Sequence, residues 1–367
     1  MSAENYIGLM SGTSLDGVDA VLADLAGAKP RLIADAHVSF DAPLRRELLA
    51  LNAPGDNELE RAALAGNELA KCYAAAVAAV LAGSNTPAAA VRAIGCHGQT
   101  VRHRPERGYT TQIGNPALLA ELTGIRVVAD FRGRDVAAGG QGAPLVPAFH
   151  AAVFADAAED RVALNLGGIA NLSFLPRDGG AANVTGFDSG PGNCLLDLWA
   201  AQHLGLAHDA DGGWAAAGKA IPALLERLLQ EPYFAAPPPK STGRDLFSEA
   251  WLLGMLRGGE DPQAVQATLL EFTARSVADA VARHCRGARR VIVCGGGAKN
   301  GALMRRLAQL VAPASLETSD RHGIDPQLVE AAAFAWLAKR ALEGLPGNLP
   351  AVTGARGARV LGAVYPA

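Results

Sequence analysis

Three glycine-rich turns, each behind a β-prone run, and one aspartate in a fourth such segment carry the chemistry of this chain. The aspartate lies in Phe187-Asp188-Ser189-Gly190-Pro191-Gly192-Asn193. Asp188 follows a β-prone run and precedes two glycines and a proline, after which a helix is predicted. That order puts a carboxylate at a strand end beside a helix start, where α/β proteins place their ligands. Two roles fit it: a catalytic carboxylate, or an Asp that caps the turn. The first glycine turn is Gly12-Thr13-Ser14-Leu15-Asp16-Gly17-Val18-Asp19, between the apolar run that ends at Met10 and a second β-like run, Val18 to Leu25. It reads as a hairpin that turns at Asp16-Gly17, a pair tolerant of positive φ. Backbone N–H groups converging in such a turn form a nest suited to phosphate, although a purely structural hairpin gives the same pattern. The second turn is Gly167-Gly168, between a strand Arg161–Leu166 and a returning strand Ile169–Leu175 that carries Asn171. The third is Gly295-Gly296-Gly297, between a strand Arg290–Cys294 and a helix Asn300–Val311. Glycines there let backbone approach a ligand at a helix N-terminus. None of the three fits the Walker A or Rossmann pattern. Spread over the whole chain, they point to a nucleotide held between two related halves.

The elements that must position these residues alternate. Helices are predicted over Leu59–Ala82, Asn115–Leu122, Cys194–Leu204, Ile221–Gln230, Ala264–Cys285 and Gln327–Leu342, with further strands at Val91–Cys96 and Arg126–Ala129. Pro116 sits early in its helix, where a missing N–H costs little. Ala235–Lys240, with three prolines in a row, reads as a surface loop. Alternating strands and helices argue for α/β layers. The chain is too long for one comfortable core, and the boundary is expected near Ala152–Asp160, giving lobes 1–155 and 156–367. No sequence repeat relates them.

Composition narrows the function. Half the residues are hydrophobic, which supplies a sizeable core and excludes global disorder. A net charge of −3 leaves no basic footprint for nucleic acid or anionic lipid. Five cysteines without a Cys-x-x-Cys argue against a zinc site or disulfide framework and fit a reducing cytosol. No secretory signal opens the chain, and the longest apolar stretch, Tyr73 to Ala82, is too short to span a bilayer.

The blocks Met10–Asp19, Cys96-His97-Gly98-Gln99-Thr100, Gln112-Ile113-Gly114-Asn115, Asp130-Phe131-Arg132, Gly139–Leu145, Asn165–Asn171 and Phe187–Asn193 run in this order. Together they resemble the anhydro-N-acetylmuramic acid kinases of bacterial cell-wall recycling, and the Gly295 loop extends the likeness. Two phosphate hairpins plus a late adenosine loop is the layout of the actin, hexokinase and heat-shock-chaperone ATPase superfamily. The resemblance implies a two-domain actin-like α/β fold, ribonuclease H-like in each half, with an interdomain active-site cleft. The Gly12–Asp19 and Gly167–Asn171 turns would face each other across it, and Gly295–Lys299 would contact adenosine. It implies a cytoplasmic homodimeric enzyme that uses ATP and Mg²⁺ to open a 1,6-anhydro sugar with water and phosphorylate O6, Asp188 being the base on water.

The superfamily's Asp-x-Gly-Thr pattern places Met10 at its acidic position, so Asp16 or Asp19 is expected at the metal, through water as Mg²⁺ prefers; Asp19 is equally readable as a solvent-facing strand residue. For the sugar the candidates are His97, Gln99, Thr100, Asn115, Arg132 and Glu330. His97 also reads as a hydrogen-bonded interior histidine. Arg132 fits a fork for the lactyl carboxylate, or an Arg–Asp pair that holds its loop. Glu330 fits a cleft contact or a solvated first-turn Glu. An ordinary hexose or amino-sugar kinase, with Asp188 deprotonating a hydroxyl, is the alternative within the fold. A non-enzymatic nucleotide switch, like the chaperone or filament members of the superfamily, is the alternative of a different functional class.

Overall fold

The computed structural model describes residues 3–12, 15–180, 182–243 and 245–367. The chain forms two compact units, one of Met1–Val153 with Leu328–Ala367 and one of Phe154–Gln327. The first break lies beside the expected boundary. The last forty residues differ from expectation: 328–367 pack with the N-terminal unit, not with the C-terminal lobe.

The first unit is built on a sheet of β1 (Asn5–Met10), β2 (Gly17–Asp24), β3 (Arg31–Ser39), β4 (Val91–Cys96), β7 (Val127–Ala129) and β13 (Ala363–Tyr365), in the order β13-β7-β4-β1-β2-β3. A separate ribbon pairs β5 (Gln99–Arg104) with β6 (Tyr109–Ile113). From the central β1, the pairs β1–β2 and β2–β3 are antiparallel, while β1–β4 and β4–β7 are parallel. Side chains alternate across the sheet. Ile7 and Leu9 join Leu69, Tyr73 and Val77 of the helix Glu58–Ser84 in one core. Tyr6 and Ala93 join Phe334 and Leu337 of the helix Val329–Leu342 in the other. With both faces covered, the central strands β1 and β4 are apolar apart from Asn5 and Arg92 near their starts, as buried parallel strands are. The helix Glu58–Ser84 is long and apolar enough to cross a bilayer by length and composition, but one face of it is this core.

The second unit has a sheet of β8 (Arg161–Leu166), β9 (Ile169–Leu175), β10 (Thr185–Pro191), β11 (Arg290–Cys294) and β12 (Ser315–Thr318), in the order β10-β9-β8-β11-β12. Here too the first two pairings from the centre are antiparallel and the other two parallel. Counted along each unit's own chain, both sheets have the strand order 3-2-1-4-5, the ribonuclease H-like arrangement, with β13 added at the edge of the first. The relation between the halves is therefore one of topology, without sequence repeat. The helix Pro262–His284 supplies Val265, Leu269, Phe272 and Val277 to the core over Val162, Leu164 and Leu172. Asp261 accepts from the Ala264 N–H at 3.0 Å and caps that helix.

Candidate active site

In the first unit the β1–β2 connection runs from Ser11 to Asp16, longer than a turn at Asp16-Gly17. Thr13 and Ser14 lie outside the described residues. The positive φ falls on Leu15 (+56°), not on Asp16 or Gly17. Gly17 belongs to β2, and a Cβ there would stand 2.4 Å from the Val38 carbonyl oxygen. Close strand packing is what selects that glycine. Leu15 and Val18 point into the core, so their side chains are structural. Gly12 accepts from Gln99 Nε2 at 3.2 Å. Asp16 is exposed, whereas Asp19 is half-exposed and shares 2.8 Å with His37 Nδ1. Partial desolvation raises the Asp19 carboxyl above its usual range, against the His37 hydrogen bond, and neighbouring Asp16 and Asp35 push the same way. Asp19 is thus no free solvent-facing residue.

Glu330, in the first turn of the helix Val329–Leu342, is half-buried, not solvated. Desolvation raises its carboxyl; Arg132 pulls it down and Asp19 raises it further. Among the described residues Arg132 makes no carboxylate pair. It donates from Nε to His97 Nε2 at 3.0 Å and from Nη1 to the Gly142 carbonyl at 2.8 Å, and Nη2 has no partner among the described residues. Burial moves the guanidinium down to about 10. His97 is buried, and desolvation with the Arg132 charge drives it down to about 3. It is therefore a neutral imidazole accepting at Nε2, with Nδ1 carrying the proton. That Nδ1 and Gln99 Oε1 are buried with no partner in hydrogen-bonding geometry among the described residues. Orphaned polar atoms of this kind are rare in folded proteins and mark places to look for a ligand.

Thr100 accepts from Gln112 Nε2 at 3.0 Å. Asn115 is engaged at both ends: its Oδ1 accepts the Leu118 N–H at 2.9 Å and its Nδ2 donates to Asn67 at 2.8 Å. Its first role is a helix cap. His97 and Asn115 nevertheless line one cavity of about 160 Å³, with Tyr73, Gln112 and Tyr365. No sequence signal marked Tyr73 or Tyr365, or His37 beside Asp19.

In the second unit Asp188 lies within β10, at the bulge between Asp188 and Gly190, and not at a strand end. β10 is the sheet edge, so its backbone turns to a neighbouring segment: Asp188 N–H donates to the Lys240 carbonyl at 3.1 Å, and its carbonyl accepts from Tyr233 Oη at 2.7 Å. The side chain is half-buried. Its Oδ2 accepts the Thr242 N–H at 2.9 Å, and Oδ1 has no partner among the described residues. Desolvation outweighs that single amide and pushes the carboxyl up to about 6. The segment read as a surface loop is what holds the aspartate. Lys240 also stands 4.6 Å over the Tyr233 ring.

Gly167 and Gly168 join β8 to β9. Their carbonyls accept the N–H groups of Gly192, Asn193 and Cys194 at 2.8–3.0 Å, which ties the turn to the start of the helix Cys194–Leu204. Asn171 pairs with Asp188 across the two strands. In the third loop the glycines divide. A Cβ on Gly295 (φ +84°) would meet Asn165 Oδ1 at 2.4 Å, and one on Gly297 would meet Leu166 Cβ at 2.6 Å. These two are fixed as glycine by packing against β8. Gly296 alone is exposed, with open space where a Cβ would be.

The family model for anhydro-N-acetylmuramic acid kinase matches residues 4–367. The chain belongs to the anhydro-N-acetylmuramic acid kinase family. It is 58% identical over 375 residues to the anhydro-N-acetylmuramic acid kinase of Variovorax paradoxus (strain S110) and 54% identical over 369 residues to that of Nitrosospira multiformis, covering all of both chains in each case. Against the enzyme of Thiobacillus denitrificans it is 56% identical over 369 residues, with all of this chain and 98% of the relative covered. Such full-length coverage carries both ribonuclease H-like units into the anhydro-N-acetylmuramic acid kinase family together. Among the described residues no group of three or more His, Cys, Asp or Glu side chains is placed to hold a metal ion.

Proposed function

We propose that this kinase opens the 1,6-anhydro ring of anhydro-N-acetylmuramic acid with water and phosphorylates O6 in the same turnover, giving N-acetylmuramic acid 6-phosphate and ADP. The observation that carries this reading is Asp188: a half-buried carboxylate with one oxygen fixed by the Thr242 amide, the other free, and an ionisation near 6. A base matched to neutral pH and held by one oxygen can take a proton from water with the other. The water oxygen bonds to C1 as the C1–O6 bond breaks. O6 leaves with that electron pair and bonds to the γ-phosphorus as the bond to ADP breaks. The base across the ring from the leaving oxygen follows the logic of inverting glycosidases.

For ATP, we assign phosphate contacts to the Gly12–Asp19 turn and to the Gly167-Gly168 turn, and adenosine contact to Gly296. Mg²⁺ fits the donor set at Asp19, whose second oxygen has no partner among the described residues and whose raised carboxyl a cation would stabilise, with Asp16 as the nearby second acid. When bound, the ion neutralises phosphate charge. His97, Gln99, Arg132 and Glu330 are assigned to the sugar, Arg132 through its free Nη2. Five unpaired cysteines, four of them buried, support a cytoplasmic location. Leu49, Leu59 and Leu64, all exposed on neighbouring helices, support self-association as a homodimer, which sedimentation would check.

The test is turnover in ¹⁸O-water. Label is expected at C1 of the sugar and none in the phosphate, with Asp188→Asn losing ring opening and phosphorylation together while still binding both substrates. Unlabelled sugar product would return the enzyme to the class of ordinary sugar kinases. A variant that still opened the ring without consuming ATP would separate the two steps and overturn the coupling.

A further inference from the structure

We infer that Asp135 is a positioning residue that aims Arg132 at the substrate's carboxylate, acting through the backbone of Gly142. The inference rests on the assignment of Arg132 to the lactyl carboxylate. Asp135 is fully buried in the short helix Gly133–Ala137, three residues beyond Arg132. A buried carboxylate must be satisfied or it destabilises the fold. Here it accepts three hydrogen bonds: Asn348 Nδ2 at 2.6 Å and Thr353 Oγ1 at 2.8 Å on Oδ1, and the Gly142 N–H at 2.8 Å on Oδ2. The donors cannot be reversed. Asn348 Oδ1 is committed to the Arg359 N–H at 2.7 Å, which orients its amide nitrogen toward Asp135. Gly140 makes room for the carboxylate, since a Cβ there would stand 2.2 Å from Asp135 Oδ2.

The same peptide segment then faces the site. While the Gly142 N–H is held by Asp135, the Gly142 carbonyl accepts Arg132 Nη1 at 2.8 Å, and Arg132 Nε reaches neutral His97. Two of the three guanidinium nitrogens are thereby fixed, one by a carbonyl and one by an imidazole, and neither partner neutralises the charge. Among the described residues Nη2 remains the open donor. A guanidinium held this way binds a carboxylate with little further loss of freedom. The class of group selected is an anionic substituent on the sugar, so the relay sets specificity for a lactyl-bearing sugar over one that lacks it.

The test compares 1,6-anhydro-N-acetylmuramic acid with 1,6-anhydro-N-acetylglucosamine, which lacks the lactyl group. Asp135→Asn places an NH₂ against a donor and should raise KM for the first sugar about tenfold or more, leaving KM for the second sugar and for ATP unmoved. Thr353→Val removes one donor and should shift the same ratio in the same direction by less; it serves if Asp135→Asn fails to fold. Arg132→Ala is the reference and should abolish the preference. If Arg132→Ala keeps the preference, the carboxylate assignment is wrong and the relay falls with it. If Arg132→Ala loses the preference but folded Asp135→Asn or Thr353→Val keeps it, or weakens both sugars equally, the positioning role alone is overturned.

Discussion

A carboxylate that ionises near pH 6 remains charged in neutral solution and is still basic enough to accept a proton, and Asp188 reaches that state by desolvation against one amide hydrogen bond. The acid limb of kcat/KM should therefore fall with an apparent pKa near 6, where an unperturbed Asp would place it near 4. Activity is lost below that value because the base is protonated. Stability runs the other way. The folded pKa lies above the unfolded one, so this group's contribution is fully present below the unfolded value and is lost as pH rises through about 6. Asp188→Asn, which mimics the protonated form, should therefore melt higher than the parent at pH 7. We expect about 1–2 kcal/mol, less than full conversion of the shift because the carboxyl is partly solvated, and the gap should close below pH 4. Equal melting at both pH values would contradict the raised ionisation. Asp188 drew attention in the sequence through the Gly190-Pro191-Gly192 that follows it. Its holders did not: Tyr233 and Thr242 lie 45 and 54 residues away, in and beside a segment whose prolines said only that it is irregular. His37 was hidden from Asp19 for the same reason, since a cross-strand pair leaves no local pattern.

The elements were legible because buried strands and amphipathic helices announce themselves by period; their fine contacts were not. The helix Val329–Leu342 lies so close to β1 and β4 that a Cβ on Gly8 would stand within 1.8 Å of the Ala331 carbonyl oxygen, and one on Gly95 within 2.0 Å of that of Phe334. Both obstacles are backbone, so the helix must move. Gly8→Ala or Gly95→Ala should cost at least ~3 kcal/mol in chemical denaturation and disturb Glu330, which that helix carries. The third loop offers a sharper contrast. Gly296→Ala meets no protein atom and should leave stability within ~0.5 kcal/mol of the parent, while raising KM for ATP severalfold as its methyl intrudes on adenosine. Gly295→Ala needs φ +84° and collides with Asn165, so it should lower the melting temperature as well as ATP affinity. From sequence the three glycines looked alike, because what separates them is the end of β8 lying beneath two of them. The bulge at Asp188 was equally silent, being a property of how β10 pairs with β9.

For the molecule as a whole, the division into units was readable up to the return of the chain. An apolar helix at 327–342 carries no sign of which sheet it covers, and covering the first one is a tertiary event. Because that helix fills one face of the first sheet, β13 extends its edge, and Asn348 and Thr353 satisfy buried Asp135, deleting 328–367 should leave residues 1–153 without a cooperative melting transition. Residues 154–327, with their own sheet and core, should keep one when expressed alone. A cooperative transition in the truncated first unit would show that its core closes without the returning helix. On the ribosome, where the chain emerges from its N-terminus, the usual order of domain folding is inverted here. Residues 1–153 must wait, with the second face of their sheet uncovered, until 328–367 have emerged, while 154–327 have everything they need in one uninterrupted stretch. The first unit is therefore the later of the two to close, although most of it is made earlier.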